Sequence, residues 1–134
     1  MHQGSCLCQG VTFTVAGALP PIQVCHCSQC RQAQGGPFAA NLPLAEQQLT
    51  WLTGQELFQC YESSPGKFRW FCRVCGSPLF SQRTDLPGVL RLRAGLLKGH
   101  VSAAVGLHAQ YASRANWWQR QDDAPRYEEL PPAS

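Results

Sequence analysis

The stretch LFQCYESSPGKFRWFCRVCG, residues 57–76, decides the fold class. Its flanks, LFQCYES (57–63) and KFRWFC (67–72), read as strands and meet at Ser-Pro-Gly. Proline sets φ at one central turn position and glycine supplies positive φ at the next, as a type II turn requires. A β-hairpin is therefore expected. Its second strand runs into Cys72-Arg73-Val74-Cys75-Gly76. In a C-x-x-C-G knuckle the backbone folds so that both sulfurs face one metal ion, and the glycine takes positive φ. No helix-forming sequence follows Cys75 and Pro78 comes soon after, which argues against a thioredoxin-like redox pair.

Outward from this hairpin the chain consists of short segments. VTFTV (11–15) alternates like a half-buried strand, and IQVC (22–25) leads into CHCSQCR (25–31). SQCRQAQGG is expected to make a helical turn that the glycines stop. PFAANLP (37–43) and LTWLT (49–53) are further strands, with AEQQ between them as a turn or short helix. PLFSQ, VLRLRAG and GLHAQYA add others, and NWWQRQDDAPRYEELPPAS reads as a turn plus an extended tail. The 134 residues fit one domain, 1–134, mainly β with little helix.

Eight cysteines stand out in a chain of 14% charged residues. The even count permits disulfides, yet MHQGSCLCQG contains no apolar run of a secretory signal. A reducing, cytoplasmic setting is expected, where thiols more often bind metal. No apolar stretch reaches the ~20 residues of a membrane helix. The formal charge of +3 assumes neutral thiols. Two zinc ions held by seven thiolates bring it near zero, so basicity is no argument for nucleic acid, and no lysine or arginine block tracks phosphates.

Three cysteine groups remain to be paired: Cys6/Cys8, Cys25/Cys27/Cys30 and Cys72/Cys75. In an extended segment residues i and i+2 point to one side, so Cys6 and Cys8 can complete the knuckle as a closed four-thiolate site whose work is folding. Cys25 and Cys27 then face one way and His26 the other, and a turn at Ser28-Gln29 returns Cys30 to the same metal. Three thiolates leave an open coordination position, the mark of a catalytic zinc. Two readings compete with this. Cys60, in a strand pattern where a free thiol is usually a small buried hydrophobe, is a candidate eighth ligand. Spacing also allows Cys25/Cys27 to pair with Cys72/Cys75.

With these residues in view, the chain resembles the glutathione-dependent formaldehyde-activating enzyme family, which includes centromere protein V-like members. The resemblance starts with Gly4-Ser5-Cys6-Leu7-Cys8-Gln9-Gly10-Val11 and Cys25-His26-Cys27-Ser28-Gln29-Cys30-Arg31. It continues through Gly35-Gly36-Pro37-Phe38, Arg69, Phe71-Cys72-Arg73-Val74-Cys75-Gly76-Ser77 and Leu79. A weaker echo follows in His108, Ser113-Arg114-Ala115-Asn116-Trp117 and Pro125-Arg126-Tyr127-Glu128. The match thus spans a core of about 4–128 and leaves 129–134 as a tail. It implies a zinc-stabilised β-tent of small antiparallel sheets carrying two Zn²⁺ ions. Cys6, Cys8, Cys72 and Cys75 match the structural-zinc ligands; Cys25, Cys27 and Cys30 match those of the catalytic zinc; Cys60 belongs to neither set. The implied activity is carbon–sulfur bond formation and cleavage between glutathione and formaldehyde.

Arg31, beside the open site, is a candidate for pairing with a substrate carboxylate, and Phe38 and His108 are candidates for lining the pocket. Each has a plainer reading: a solvated arginine for Arg31, core or turn roles for Phe38 and His108. His26 is expected to be a structural hydrogen-bonding residue, Arg73 to screen the knuckle, and Trp117-Trp118 to cover a small core. The alternative function class is a non-catalytic zinc-stapled module contacting protein or nucleic acid, against which the lack of a basic tail counts.

Overall fold

The computed structural model describes residues 1–119 and 123–129. In chain order its strands are β1 (His2–Ser5), β2 (Thr12–Val15), β3 (Ile22–Cys25), β4 (Ala39–Ala45) and β5 (Leu49–Thr53). They continue with β6 (Phe58–Ser64), β7 (Lys67–Cys72), β8 (Pro78–Arg83), β9 (Val89–Arg93) and β10 (Val105–Ala109). An α-helix, α1 (Ser28–Gln34), follows β3. The mainly β architecture expected from the sequence is the one observed. Of the terminal tail expected at 129–134, residues 130–134 lie outside the described residues.

A three-stranded antiparallel sheet has the order β1-β2-β5, and a seven-stranded sheet the order β10-β3-β4-β9-β8-β7-β6. The hairpin of β6 and β7 closes with Ser64 opposite Lys67, and Gly66 has φ +78° as the Pro-Gly turn requires. Its amide donates to Glu62 Oε2 at 3.1 Å.

The core lies between the sheets. Phe13 and Val15 of β2 alternate inward, as period-2 strands do, and meet Leu42 and Leu44 of β4, Leu79 and Phe80 of β8, and Leu90 and Leu92 of β9. A series of ring contacts crosses the layer: Phe13 to Trp51 at 5.3 Å, Trp51 to Phe80 at 5.4 Å, and Phe80 to Trp70 at 5.7 Å. Full burial of one such ring contributes about 1.5–3 kcal/mol. Cys6 and Cys72 belong to the same buried cluster, so one cysteine group is continuous with the core.

Several expectations need correction. β1 has no alternating apolar pattern; it forms because its backbone pairs with β2 and bridges Leu97 through Gly4. A Cβ on Gly4 would overlap the Phe13 ring and the Leu96 carbonyl, so this close approach needs glycine. β10 runs parallel to β3, an exception in otherwise antiparallel sheets. Cys6 and Cys8 lie in a turn after β1, not in an extended segment: Gln9 N donates to Cys6 O at 3.1 Å and Gln9 has φ +63°. Cys60 is exposed on β6 instead of buried, and Trp117 is exposed while Trp118 is half-buried. Among the described residues no helix is long and apolar enough to cross a membrane.

Candidate metal centres

The turn after β1 and the knuckle between β7 and β8 bring four sulfurs together. Those of Cys6, Cys8, Cys72 and Cys75 all lie within 4.8 Å of one another. Cys6 to Cys8 is 3.5 Å and Cys8 to Cys72 is 3.9 Å. Tetrahedral zinc with bonds of about 2.3 Å sets its sulfurs about 3.8 Å apart, so the donor set fits such an ion. The backbone holds the arrangement. Gly76 N donates to Cys72 O at 2.7 Å with Gly76 at φ +77°, and Val11 N donates to Cys6 Sγ at 3.3 Å. Ser77 links the two arms: its hydroxyl accepts from Leu7 N at 3.0 Å and lies 3.2 Å from Cys75 Sγ.

Without metal these thiols share charge unevenly. Desolvation opposes ionisation of Cys75, but the Ser77 hydroxyl and amide, with the Cys8 and Cys72 groups, pull it down to about 5. The Gly10 amide favours the Cys8 thiolate, yet Cys6, burial, Cys75 and Cys72 together hold that thiol up at about 11. One thiolate is stabilised while a neighbour keeps its proton. A divalent cation replaces such protons when it binds.

The second group forms where β3 ends and α1 begins. The sulfurs of Cys25, Cys27 and Cys30 lie within 4.8 Å of one another, and among the described residues no fourth histidine, cysteine or carboxylate joins them. Cys27 is the N-cap of α1, extended at φ −64° and ψ 157°, and its sulfur accepts from Cys30 N at 3.3 Å. Gly35, at φ +67°, ends the helix. Burial pushes the Cys25 thiol up to about 12, despite a Cys27 amide that favours ionisation. For Cys27 desolvation is outweighed by the Cys30 amide and thiol, the Cys25 thiol and Lys67, and the net shift is downward.

His26 is fully buried and is not part of the three-sulfur group. Its Nε2 is 2.8 Å from His108 Nδ1, and it is surrounded by Phe38 at 5.4 Å, Tyr111 at 5.2 Å and Trp118 at 5.0 Å. Desolvation first, then the nearby His108 and Arg114, favour its neutral form. Phe38 and His108 thus both pack on His26. Arg31 is half-buried on α1, and its Nε is buried without a partner. Arg73 is exposed, with its backbone amide on Leu57 O at 2.9 Å.

Three basic residues with no site role expected from the sequence act on the group. Arg69 Nη2 donates to Cys30 Sγ at 3.7 Å. Lys67 and Arg93 feel the charge of Cys25 and Cys30, though desolvation is the largest influence on each and holds both below their usual range. A signal was present: Lys67 and Arg69 stand two apart on a strand and therefore share a face. Cys60 joins neither group.

An uncharacterized lyase of Schizosaccharomyces pombe is 30% identical over 98 residues, covering 73% of this chain and 69% of the yeast protein. A crystal structure of a Rhodobacter sphaeroides protein superposes with a TM-score of 0.59 at 29% identity, covering 73% of this chain and 89% of that one. Residues 1–120, which contain both cysteine groups, match the family described as glutathione-dependent formaldehyde-activating enzyme, and the chain belongs to that family.

Proposed function

We propose that the chain binds two zinc ions and acts as a carbon–sulfur lyase on a small thiol, glutathione in the first instance. In the forward direction the thiol sulfur bonds to the carbon of formaldehyde and the thiol proton ends on the oxygen, giving S-hydroxymethylglutathione. The reverse step cleaves that carbon–sulfur bond. Cys6, Cys8, Cys72 and Cys75 would hold the structural ion, and Cys25, Cys27 and Cys30 the catalytic one. The observation that carries this reading is the uneven split of sulfurs, four in one group and three in the other.

Zinc ligated by three electron-rich thiolates is a weak Lewis acid, and the chemistry it supplies when bound is to keep a substrate thiol as the nucleophilic thiolate. The chain's own residues prepare the site. Cys27 is oriented by the Cys30 amide, and Arg69 offsets the charge of Cys30. His26, fixed by His108 and three aromatic rings, sets the backbone between Cys25 and Cys27. Residues 1–134 are then one domain in a reducing compartment such as the cytoplasm, where the cysteines stay out of disulfides.

The test is to load the protein with zinc, count the ions per chain, and follow S-hydroxymethylglutathione by NMR against the uncatalysed background. Two zinc ions and a rate above background, lost in Cys27→Ser, are expected. A single ion per chain, or two ions with no acceleration, leaves only a stapled binding module.

A further inference from the structure

A cavity of about 200 Å³ reaches from the knuckle, at Gly76 and Pro78, to α1, at Ala33 and Gln34. Arg69 of β7 and Arg93 of β9 both line it, and both are more than nine-tenths buried. Their hydrogen bonds leave donors over. Arg69 gives Nε to Ser63 Oγ at 2.9 Å and Nη2 to Cys30 Sγ at 3.7 Å, while its Nη1 is buried with no partner. Arg93 gives Nη1 to Asn41 Oδ1, to Ser81 Oγ at 3.3 Å and to Arg91 O at 3.3 Å, while its Nε is buried with no partner. Among the described residues no aspartate or glutamate pairs with either guanidinium.

Two buried guanidinium groups without a carboxylate are costly to a fold unless their charge and hydrogen bonds are matched inside it. The three cysteines supply only part of the balance. Three thiolates around one divalent ion carry a single net negative charge; Arg69, Arg93 and Lys67 turn that into a charge of about +2, and a bound substrate thiolate cancels only half of it. The excess calls for an anionic ligand. A planar guanidinium fork matches a carboxylate, and Trp70 and Phe71 give the cavity apolar walls that strengthen such a contact.

We propose that Arg69 and Arg93 form a carboxylate-binding subsite that takes the acidic end of the thiol substrate. Arg69 is the link: its Nη2 rests on Cys30 and its side chain lines the cavity, so sulfur and carboxylate of one small molecule are held on either side of it. The identity of that molecule rests on the lyase reading, whereas the preference for a carboxylate does not.

The test compares glutathione with glutathione diethyl ester, and S-methylglutathione with its diester, binding to the zinc-loaded protein by calorimetry. The methylated pair removes any contribution from the thiol. Both acids are expected to bind about tenfold or more tightly than their esters. Arg93→Gln is expected to bring each ratio close to one. In nitrogen-15 NMR of the unaltered protein, the Arg93 Nε–H and Arg69 guanidinium signals should move with the acids and stay with the esters. Equal affinity for acid and ester, or arginine signals that do not move, overturns the subsite. If Arg93→Gln fails to fold, the NMR shifts decide. Turnover with no acid preference would sink the subsite alone; acid preference with no turnover would sink the lyase reading alone.

Discussion

The sulfurs of Cys8 and Cys72 lie 3.9 Å apart although 64 residues separate them along the chain. Cys8 follows β1 of the small sheet and Cys72 ends β7 of the large one, so their group clasps the two sheets over the shared core. Metal bound at such a site contributes on the order of 10 kcal/mol in small peptides, comparable to the whole stability of a domain. Cys72→Ser, or chelation of the ion, is therefore expected to unfold the protein. Far-UV and near-UV circular dichroism would show it, and a variant that stays folded without this ion would contradict the clasp.

Cys27→Ser should behave differently. Cys25, Cys27 and Cys30 are close in sequence, at the end of β3 and the start of α1, and an ion there closes no long loop. Serine is itself a favoured N-cap, so the turn that begins α1 keeps its hydrogen bond. The expected result is one zinc ion lost with the fold retained, and a loss of stability well below that of Cys72→Ser. Zinc analysis beside a thermal melt measures both.

These two outcomes rest on features that were legible in the sequence for a physical reason. Alternation in VTFTV and KFRWFC, the Ser-Pro-Gly turn and the cysteine spacings are local, and local geometry is enough to interpret them. β1 was not legible, because nothing in HQGS favours a strand; the edge of β2 and the bridge to Leu97 impose it. Nor was the parallel pairing of β10 with β3, where neither segment carries a mark of its partner. Arg69 could be placed on a face shared with Lys67, but its contact with Cys30 depends on how β7 packs near α1 across 39 residues. The His26–His108 pair spans 82 residues and is likewise a product of tertiary packing.

That histidine pair gives a third expectation. Removing His108 as His108→Leu leaves His26 Nε2 without its 2.8 Å partner, while His26 Nδ1 is already buried and unpartnered. An unsatisfied buried polar group costs about 1–3 kcal/mol. His26→Phe with His108→Leu removes the polar atoms from both sides, so the double variant should be less destabilised than the sum of the two singles. Chemical denaturation of the four proteins gives the coupling. Strict additivity would mean the contact contributes nothing.

Two glycines with left-handed backbone should respond unequally to alanine. Gly35 ends α1 at φ +67°, and a Cβ there meets open space. Gly35→Ala is expected to cost about 1–2 kcal/mol, the conformational term alone. Gly54 has φ +88°, and its Cβ would overlap the Gly10 carbonyl and the Val11 backbone, which cannot yield like a flexible side chain. Gly54→Ala should cost at least about 3 kcal/mol, combining that term with overpacking. Equal melting temperatures for the two variants would count against the close approach of β5 to the turn before β2.

Cys60→Ser bears on the split of sulfurs itself. Cys60 stands on β6 opposite Trp70 and lines an open cavity of about 540 Å³ that none of the seven clustered cysteines borders. As an exposed side chain outside both groups, its replacement should change stability by no more than about 0.5 kcal/mol and leave both zinc ions in place. Zinc analysis of the purified variant reads this directly. Loss of one ion would make Cys60 the eighth donor and close both sites, and the open position on which carbon–sulfur chemistry depends would not exist. Retention of both ions leaves Cys25, Cys27 and Cys30 as a three-thiolate set, with one coordination position for the thiol.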